Sequence, residues 1–221
     1  MNSEQLQLWL NAHGASLVVD GQCGMKTRDA IKEVFANPHA PAVNDADILA
    51  LASRLGCTTK QLRAVAKVES GGKAFDDQGR PKILFERHIF SRLTNHLFDV
   101  TPYSNPRGGG YNENSWAKLT EAACKNADAA FSSISIGKFQ IMGMHWSLLG
   151  YPSPIDMAYE AVKSEAGSYD MLVRFIEKNN MKGALQRIST NPRDNVAFAS
   201  RYNGPSFRTF RYDGKLAEAM A

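Results

Sequence analysis

A chain of 221 residues and 24.3 kDa, 43% hydrophobic and 22% charged, has the make-up of an ordinary globular protein. That composition excludes a disordered, collagen-like or mucin-like chain, and no apolar run approaches the ~20 residues that span a bilayer. The net charge of +4 divides into −1 over residues 1–43 and +5 over 44–221; a basic face suits an anionic polymer, but a solvated surface explains the excess more simply and nucleic acid is not implied.

The pattern predicts a mainly α fold with at most a small β element. Residues 3–13 form a first helix, with Leu6, Trp9 and Leu10 on one face and Gly14 as its stop. An extended piece from Leu17 to Val19 leads to the turn Asp20-Gly21, and Thr27 is expected to cap a second helix carrying Ala30, Ile31, Val34 and Phe35. The stretch Asn37 to Pro41 breaks that helix. This suggests a small module at 1–37, a linker at 38–44 and a large domain at 45–221. In the large domain, Asp45–Leu55 is a helix turning Ile48, Leu49, Leu51 and Ala52 inward, closed by Gly56. Thr58 caps a helix running to about Ser70, which Gly71-Gly72 ends. Residues 99–115, with two prolines and a glycine triplet, read as a loop or lid. Trp116–Phe131 reads as one helix and Ser132–Met142 as irregular or strand-like. Further helices are expected at about 144–150, 156–164, 167–179, 181–189, 192–202 and 214–220.

Cys23, Cys57 and Cys124 make no CxxC pair and no metal-ligand spacing with the histidines, and their odd number argues against a disulfide framework. No metal or other cofactor is expected. The N-terminus lacks a basic segment followed by a long apolar one, so a conventional secretory signal is not expected and synthesis in a reducing cytoplasm is.

Three passages carry chemistry. Leu62, Val65, Ala66 and Glu69 share one helix face, which places Glu69 at the end of a buried stripe and in the last, electronegative turn. Desolvation and the helix dipole both raise its pKa, as a general acid requires; a buried Glu paired with Arg or a backbone amide fits the same position. The run Ser133 to Gly143 alternates small polar and apolar residues around Gly137 and Gln140, which suits a groove wall or an ordinary hairpin. Tyr202 and Asn203 end a helix before Gly204-Pro205, whose local grammar is that of a cap.

Taken in order, Glu-Ser-Gly-Gly at 69–72, Gly-x-Phe-Gln-Ile at 137–141 and Tyr-Asn-Gly at 202–204 resemble motifs of the lysozyme-like superfamily, on its goose-type and lytic transglycosylase side. The longer string AVAKVESGG…PKILFERHIFSRLT…SIGKFQIMG…FASRYNGP resembles the N-acetylmuramidase domain of bacteriophage endolysins against Gram-negative hosts. Residues 1–37 resemble a peptidoglycan-binding module at Leu10, Asn11, Gly14, Val19, Asp20, Gly21, Gly24 and Thr27, though most of these positions also suit turns and caps.

The resemblance implies a glycoside hydrolase of lysozyme type. Its substrate is peptidoglycan, cut at the β-1,4 bond between N-acetylmuramic acid and N-acetylglucosamine, with Glu69 as acid. Glu86, in Phe85-Glu86-Arg87-His88, ranks first as a second carboxylate, ahead of Asp77. Ser70, Ser135, Gly137, Gln140, Tyr202 and Asn203 would line the glycan groove, and Asp20, Gly21, Gly24 and Thr27 would serve wall binding. The enzyme is expected as a monomer without stable membrane insertion. It would be made in the host cytoplasm and reach the periplasmic wall through a membrane lesion. A lytic transglycosylase on the same scaffold, a non-catalytic wall-binding virion protein and a basic nucleic-acid binder are the rival readings.

Overall fold

The computed structural model describes residues 1–70, 72–98 and 114–221. Gly71 and nearly all of the expected loop or lid at 99–115 lie outside them. Helix α1 (Ser3–Ala12) starts at a reciprocal box in which Asn2 and Gln5 each accept the other's backbone N–H. It buries Leu6 and Leu10, as the periodicity requires. Helix α2 (Met25–Val34) begins earlier than expected, with Gly24 as its N-cap. Thr27 therefore does not cap it: it lies in the first turn, 2% exposed, on the same inward face as Ala30 and Ile31. Between the two helices, Gln7 clasps the 17–22 turn, accepting from the Asp20 and Gly21 N–H groups and donating to Asp20 Oδ1 at 2.9 Å.

Helix α3 (Asp45–Leu55) has a capping box between Asn44 and Asp47 and ends at Gly56 in the left-handed region, φ 66°. It buries Ile48, Ala52 and Leu55, whereas Leu49 is 59% exposed. A 3.6-residue period places 48, 52 and 55 together and turns 49 about 100° away. Helix α4 (Thr59–Glu69) is capped by Thr58 and Gln61 and buries Leu62, Val65 and Ala66.

The β element is a three-stranded antiparallel sheet of β1 (Ile83–Phe85), β2 (Ile134–Ile136) and β3 (Ile141–Met142), in that order, with Leu84 opposite Ser135 and Ser135 opposite Met142. Helix α5 (Arg87–Leu93) follows β1. The single helix expected over 116–131 is two, α6 (Ser115–Ala123) and α7 (Ala127–Ser132). The reason is Asn126, whose side chain accepts the Ala129 N–H and caps a fresh start. The helix expected near 144–150 is a 3-10 turn at Gly143–His145 followed by turns.

The remaining helices are α8 (Pro154–Lys163), α9 (Glu165–Lys178), α10 (Lys182–Leu185), α11 (Pro192–Asn203) and α12 (Tyr212–Met220). Ser153, Ser164 and Asn191 cap α8, α9 and α11, and proline opens α8 and α11. Helix α12 packs on both α4 and α11. That bundle positions the site described below.

Residues 1–37 share the core of the rest. Phe35 is fully buried, with its ring 5.4 Å from Phe131, 5.6 Å from Trp116 and 5.7 Å from Tyr159. Trp9 Nε1 donates to Asp156 at 2.9 Å, and the N-terminal ammonium pairs with Asp128. A disulfide joins Cys23 to Cys124, Cα atoms 5.1 Å apart, and leaves Cys57 free and half-buried. The expectation of no disulfide is thus corrected. Folding brings together two thiols far apart in sequence, and the odd count meant only that one cysteine remains.

Candidate active site

Glu69 is the last residue of α4, at the end of its buried stripe. Its carboxyl is pushed up to about 7, chiefly because burial penalises the charged form. Two groups pull the other way: Asn203 Nδ2 donates to Glu69 Oε1 at 2.9 Å, and the Lys215 ammonium on α12 favours the anion. At neutral pH the group is therefore divided between acid and carboxylate, and its proton is held beside a fixed amide donor. Ser70 follows in extended conformation, its N–H still bonded to Ala66 O.

Tyr202 and Asn203 come from the C-terminal turn of α11. The Tyr202 ring stacks on Phe198 and meets the edge of Phe175, each at 5.7 Å. Its hydroxyl is buried and has no hydrogen-bond partner among the described residues. Burial, and then the charge of Glu69, keep that phenol protonated. Tyr212 also feels the Glu69 charge. Tyr212 and Lys215 thus belong to the acid's surroundings, and sequence reasoning missed both. They stand in a C-terminal helix whose pattern reads as ordinary amphipathicity, so the only signal was its packing on α4.

The second cluster is the β2–β3 hairpin. Gly137 takes φ +69° and Gln140 φ +50°. Ser135 Oγ donates to Gln140 Oε1 at 2.6 Å, while Gln140 Nε2 donates to Gly137 O at 2.8 Å and Lys82 O at 3.2 Å. Both ends of the Gln140 amide are thus engaged within the protein. A Cβ at Gly137 would run into Ser168 Oγ. Gly137 and Gln140 line a cavity of about 360 Å³ whose wall also includes Lys73, Lys82, Ile83 and Leu84. Lys73, four residues past Glu69, and Lys138 border both this cavity and a neighbouring one of about 630 Å³.

Glu86 directly follows β1, beside the start of β2. It precedes α5 without capping it by its side chain, its N–H bonds Ser133 O at 2.8 Å, and its carboxylate lies 3.5 Å from His88 Nδ1. Among the described residues no hydrogen bond or ion pair links it to Glu69, Tyr202 or Asn203. Asp76 is taken up by Arg80 at 2.9 Å and by two backbone N–H groups. Asp77 is exposed on the wall of the larger cavity.

Around the 17–22 turn, Asp20, Gly24 and Thr27 border a cavity of about 380 Å³ together with Val18 and Met25, which are 78% and 77% exposed. Gly21 takes φ +71° at the turn itself. Among the described residues no group of histidine, cysteine and carboxylate side chains is arranged to hold a metal, and no helix is long and apolar enough to cross a membrane.

Comparison with solved structures finds the crystal structure of Burkholderia AP3 phage endolysin, with a TM-score of 0.72 and 32% identity over 99% of this chain and 92% of that one. Comparison with curated proteins finds no match. The N-acetylmuramidase family matches residues 58–221, from the cap of α4 through the hairpin to the C-terminal helix over Glu69. The α-rich fold with its small sheet, the acid at the end of α4 and that match together establish that the chain belongs to the N-acetylmuramidase family.

Proposed function

We propose that this protein is a bacteriophage endolysin that hydrolyses the β-1,4 bond between N-acetylmuramic acid and N-acetylglucosamine in the host wall. Glu69 is the general acid. The observation that carries this is a carboxyl group at about 7 whose Oε1 is fixed by the Asn203 amide. Glu69 donates its proton to the glycosidic oxygen as the sugar ring develops oxocarbenium character. Asn203 holds the carboxyl in place, and Tyr202, Ser70 and the Ser135–Gly137–Gln140 hairpin shape the glycan's path. The enzyme is made in the host cytoplasm and acts on the periplasmic wall after passing a membrane lesion. Residues 1–37 bind the wall through the surface around Asp20, Gly21 and Gly24, and the exposed apolar rim of Val18 and Met25 supports that role; Thr27, expected to take part, is buried and presents no surface of its own.

The second carboxylate decides between two reactions. No carboxylate among the described residues hydrogen-bonds or pairs with the groups that hold Glu69. That favours, as a second reading, a lytic transglycosylase, in which the muramyl 6-hydroxyl replaces water. Mass analysis of fragments released from purified peptidoglycan separates them: reducing muramic ends mean hydrolysis, and anhydro ends mean transglycosylation. Glu86→Gln and Asp77→Asn, assayed together with melting, identify which carboxylate activates water. Loss of turnover at unchanged stability marks the base, and a variant normal in both respects is excluded. Zymography with Glu69→Gln tests the acid, and a clearing band of wild-type intensity would refute it.

A further inference from the structure

The cavity beside the hairpin carries charge that glycan cleavage does not use. Its two basic walls come from the two ends of the 74–82 loop. That loop is clasped shut by the Lys82 N–H to Ala74 O at 2.8 Å and by an antiparallel bridge between Phe75 and Pro81. The clasp brings Lys73 and Lys82 to one cavity. Lys82 is further pinned because its carbonyl accepts from Gly137 N at 2.8 Å and Gln140 Nε2 at 3.2 Å. The other charges facing the cavity are neutralised: Lys138 pairs with Glu165 at 2.6 Å, and Asp76 with Arg80. Lys73 and Lys82 have no carboxylate partner among the described residues. Two exposed ammonium groups thus border a cavity of about 360 Å³ whose lining also includes Ile83 and Leu84. Trp116, though part of the lining, is 5% exposed and lies under the Arg80 guanidinium, so it offers no free ring for a sugar to stack on.

We infer that this cavity is a subsite for the anionic peptide carried on the glycan: Lys73 and Lys82 take its carboxylates, and Ile83 and Leu84 its small methyl groups. A strand stripped of its peptide keeps one lactyl carboxylate on each muramic acid and offers no further anion nearby for a second ammonium group. The lactyl-linked peptide of peptidoglycan supplies both carboxylates and methyls at short spacing. The cavity is also lined by Gly137 and Gln140, the hairpin residues proposed above to shape the glycan's path, and that shared wall is what connects it to the bound strand. The inference rests on the muramidase reading of Glu69 and adds a preference to it: peptide-bearing strands are cut faster than bare ones.

The test uses the full-length protein and two soluble substrates, peptide-bearing glycan fragments and the same fragments stripped of peptide by an amidase. Charge-assisted contacts of this kind are worth on the order of tenfold each. Wild type is expected to show at least about tenfold higher kcat/KM on the peptide-bearing fragments, declining with added salt. The double variant Lys73→Gln, Lys82→Gln is expected to lose that preference and its salt dependence. It should cut stripped fragments as wild type does, with an unchanged melting temperature because both side chains are exposed. Lys73→Arg with Lys82→Arg should restore most of the preference. Equal kcat/KM of wild type on both substrates, or a double variant that loses activity equally on both, would overturn the subsite while leaving the muramidase reading intact. Wild type inert on both would overturn the muramidase reading, and the subsite with it.

Discussion

A carboxyl group held at about 7 links activity and stability to pH in the same sense. The acid form does the work, so cleavage should fall as pH rises through 7. Stability follows the proton too. Below the ordinary Glu range the group is protonated both folded and unfolded. Between about 4.5 and 7 the unfolded chain ionises and the folded one does not, which lowers stability as pH rises. Glu69→Gln keeps an acceptor for Asn203 and removes the buried charge. It should melt like wild type at pH 4 and above it at pH 8, by up to about 3 kcal/mol at 1.36 kcal/mol per unit, while activity falls ~10²–10⁴-fold. Calorimetry across pH with a turbidity assay reads both, and a variant less stable at pH 8 would contradict the buried acid. Tyr202→Phe removes a hydroxyl that has no partner among the described residues, so it should leave melting unchanged or raised. An activity loss with unchanged melting then assigns the hydroxyl to substrate. Glu69 was legible because the helical stripe and the C-terminal turn both act within one element. Lys215 and Tyr212 were not, because their influence on Glu69 depends on how α12 docks on α4.

Among the elements, starts were easier to read than breaks. Asn2, Asn44, Thr58, Ser153 and Asn191 cap where a short polar side chain meets an apolar period, a purely local arrangement. The break between α6 and α7 was hidden because alanine-rich sequence on both sides supports a continuous helix, and only the Asn126 cap and the Cys124 link end it. The hairpin shows how an element changes the meaning of a residue. Gln140 suggested a glycan contact by its chemistry, but its amide ties Ser135, Gly137 and Lys82 together at a positive-φ position. Gln140→Ala should therefore lower stability by about 1–3 kcal/mol as well as activity, through the buried partners it leaves unpaired. Gly137→Ala should cost a similar ~1–3 kcal/mol, because the new Cβ meets Ser168 at a backbone angle L-residues resist. A Gln140→Ala protein with wild-type melting would return that side chain to a purely substrate-facing role.

At the scale of the whole molecule, the Pro38–Pro41 break suggested a separable module, and a separable module predicts that residues 44–221 fold alone. The packing predicts otherwise. Leu6, Leu10, Ile31 and Phe35 are all fully buried in the same core as Trp116 and Phe131. At about 1.5–3 kcal/mol for each large side chain, the share that faces the large domain approaches the ~5–15 kcal/mol that holds a typical domain folded. Removal of residues 1–43 would uncover Phe131, Trp116 and Tyr159, take the Trp9 indole from Asp156 and take the N-terminal ammonium from Asp128. The Cys23–Cys124 bond adds to this union. It closes a sequence separation of 101 residues, and a loop of that size is worth roughly 2–5 kcal/mol against the unfolded chain. On the proposed route the two cysteines stay thiols in the reducing cytoplasm, and the bond forms on arrival in an oxidising compartment. The full chain should thus lose several degrees of melting temperature in dithiothreitol, and Cys23→Ser should match that loss and be insensitive to reductant. Residues 44–221 alone should melt far lower than either, with exposed tryptophan fluorescence. If the truncated chain instead melts within a few degrees of the reduced full-length protein, the aromatic contacts across residue 37 contribute little, and the N-terminal segment is a tethered module rather than part of the catalytic core.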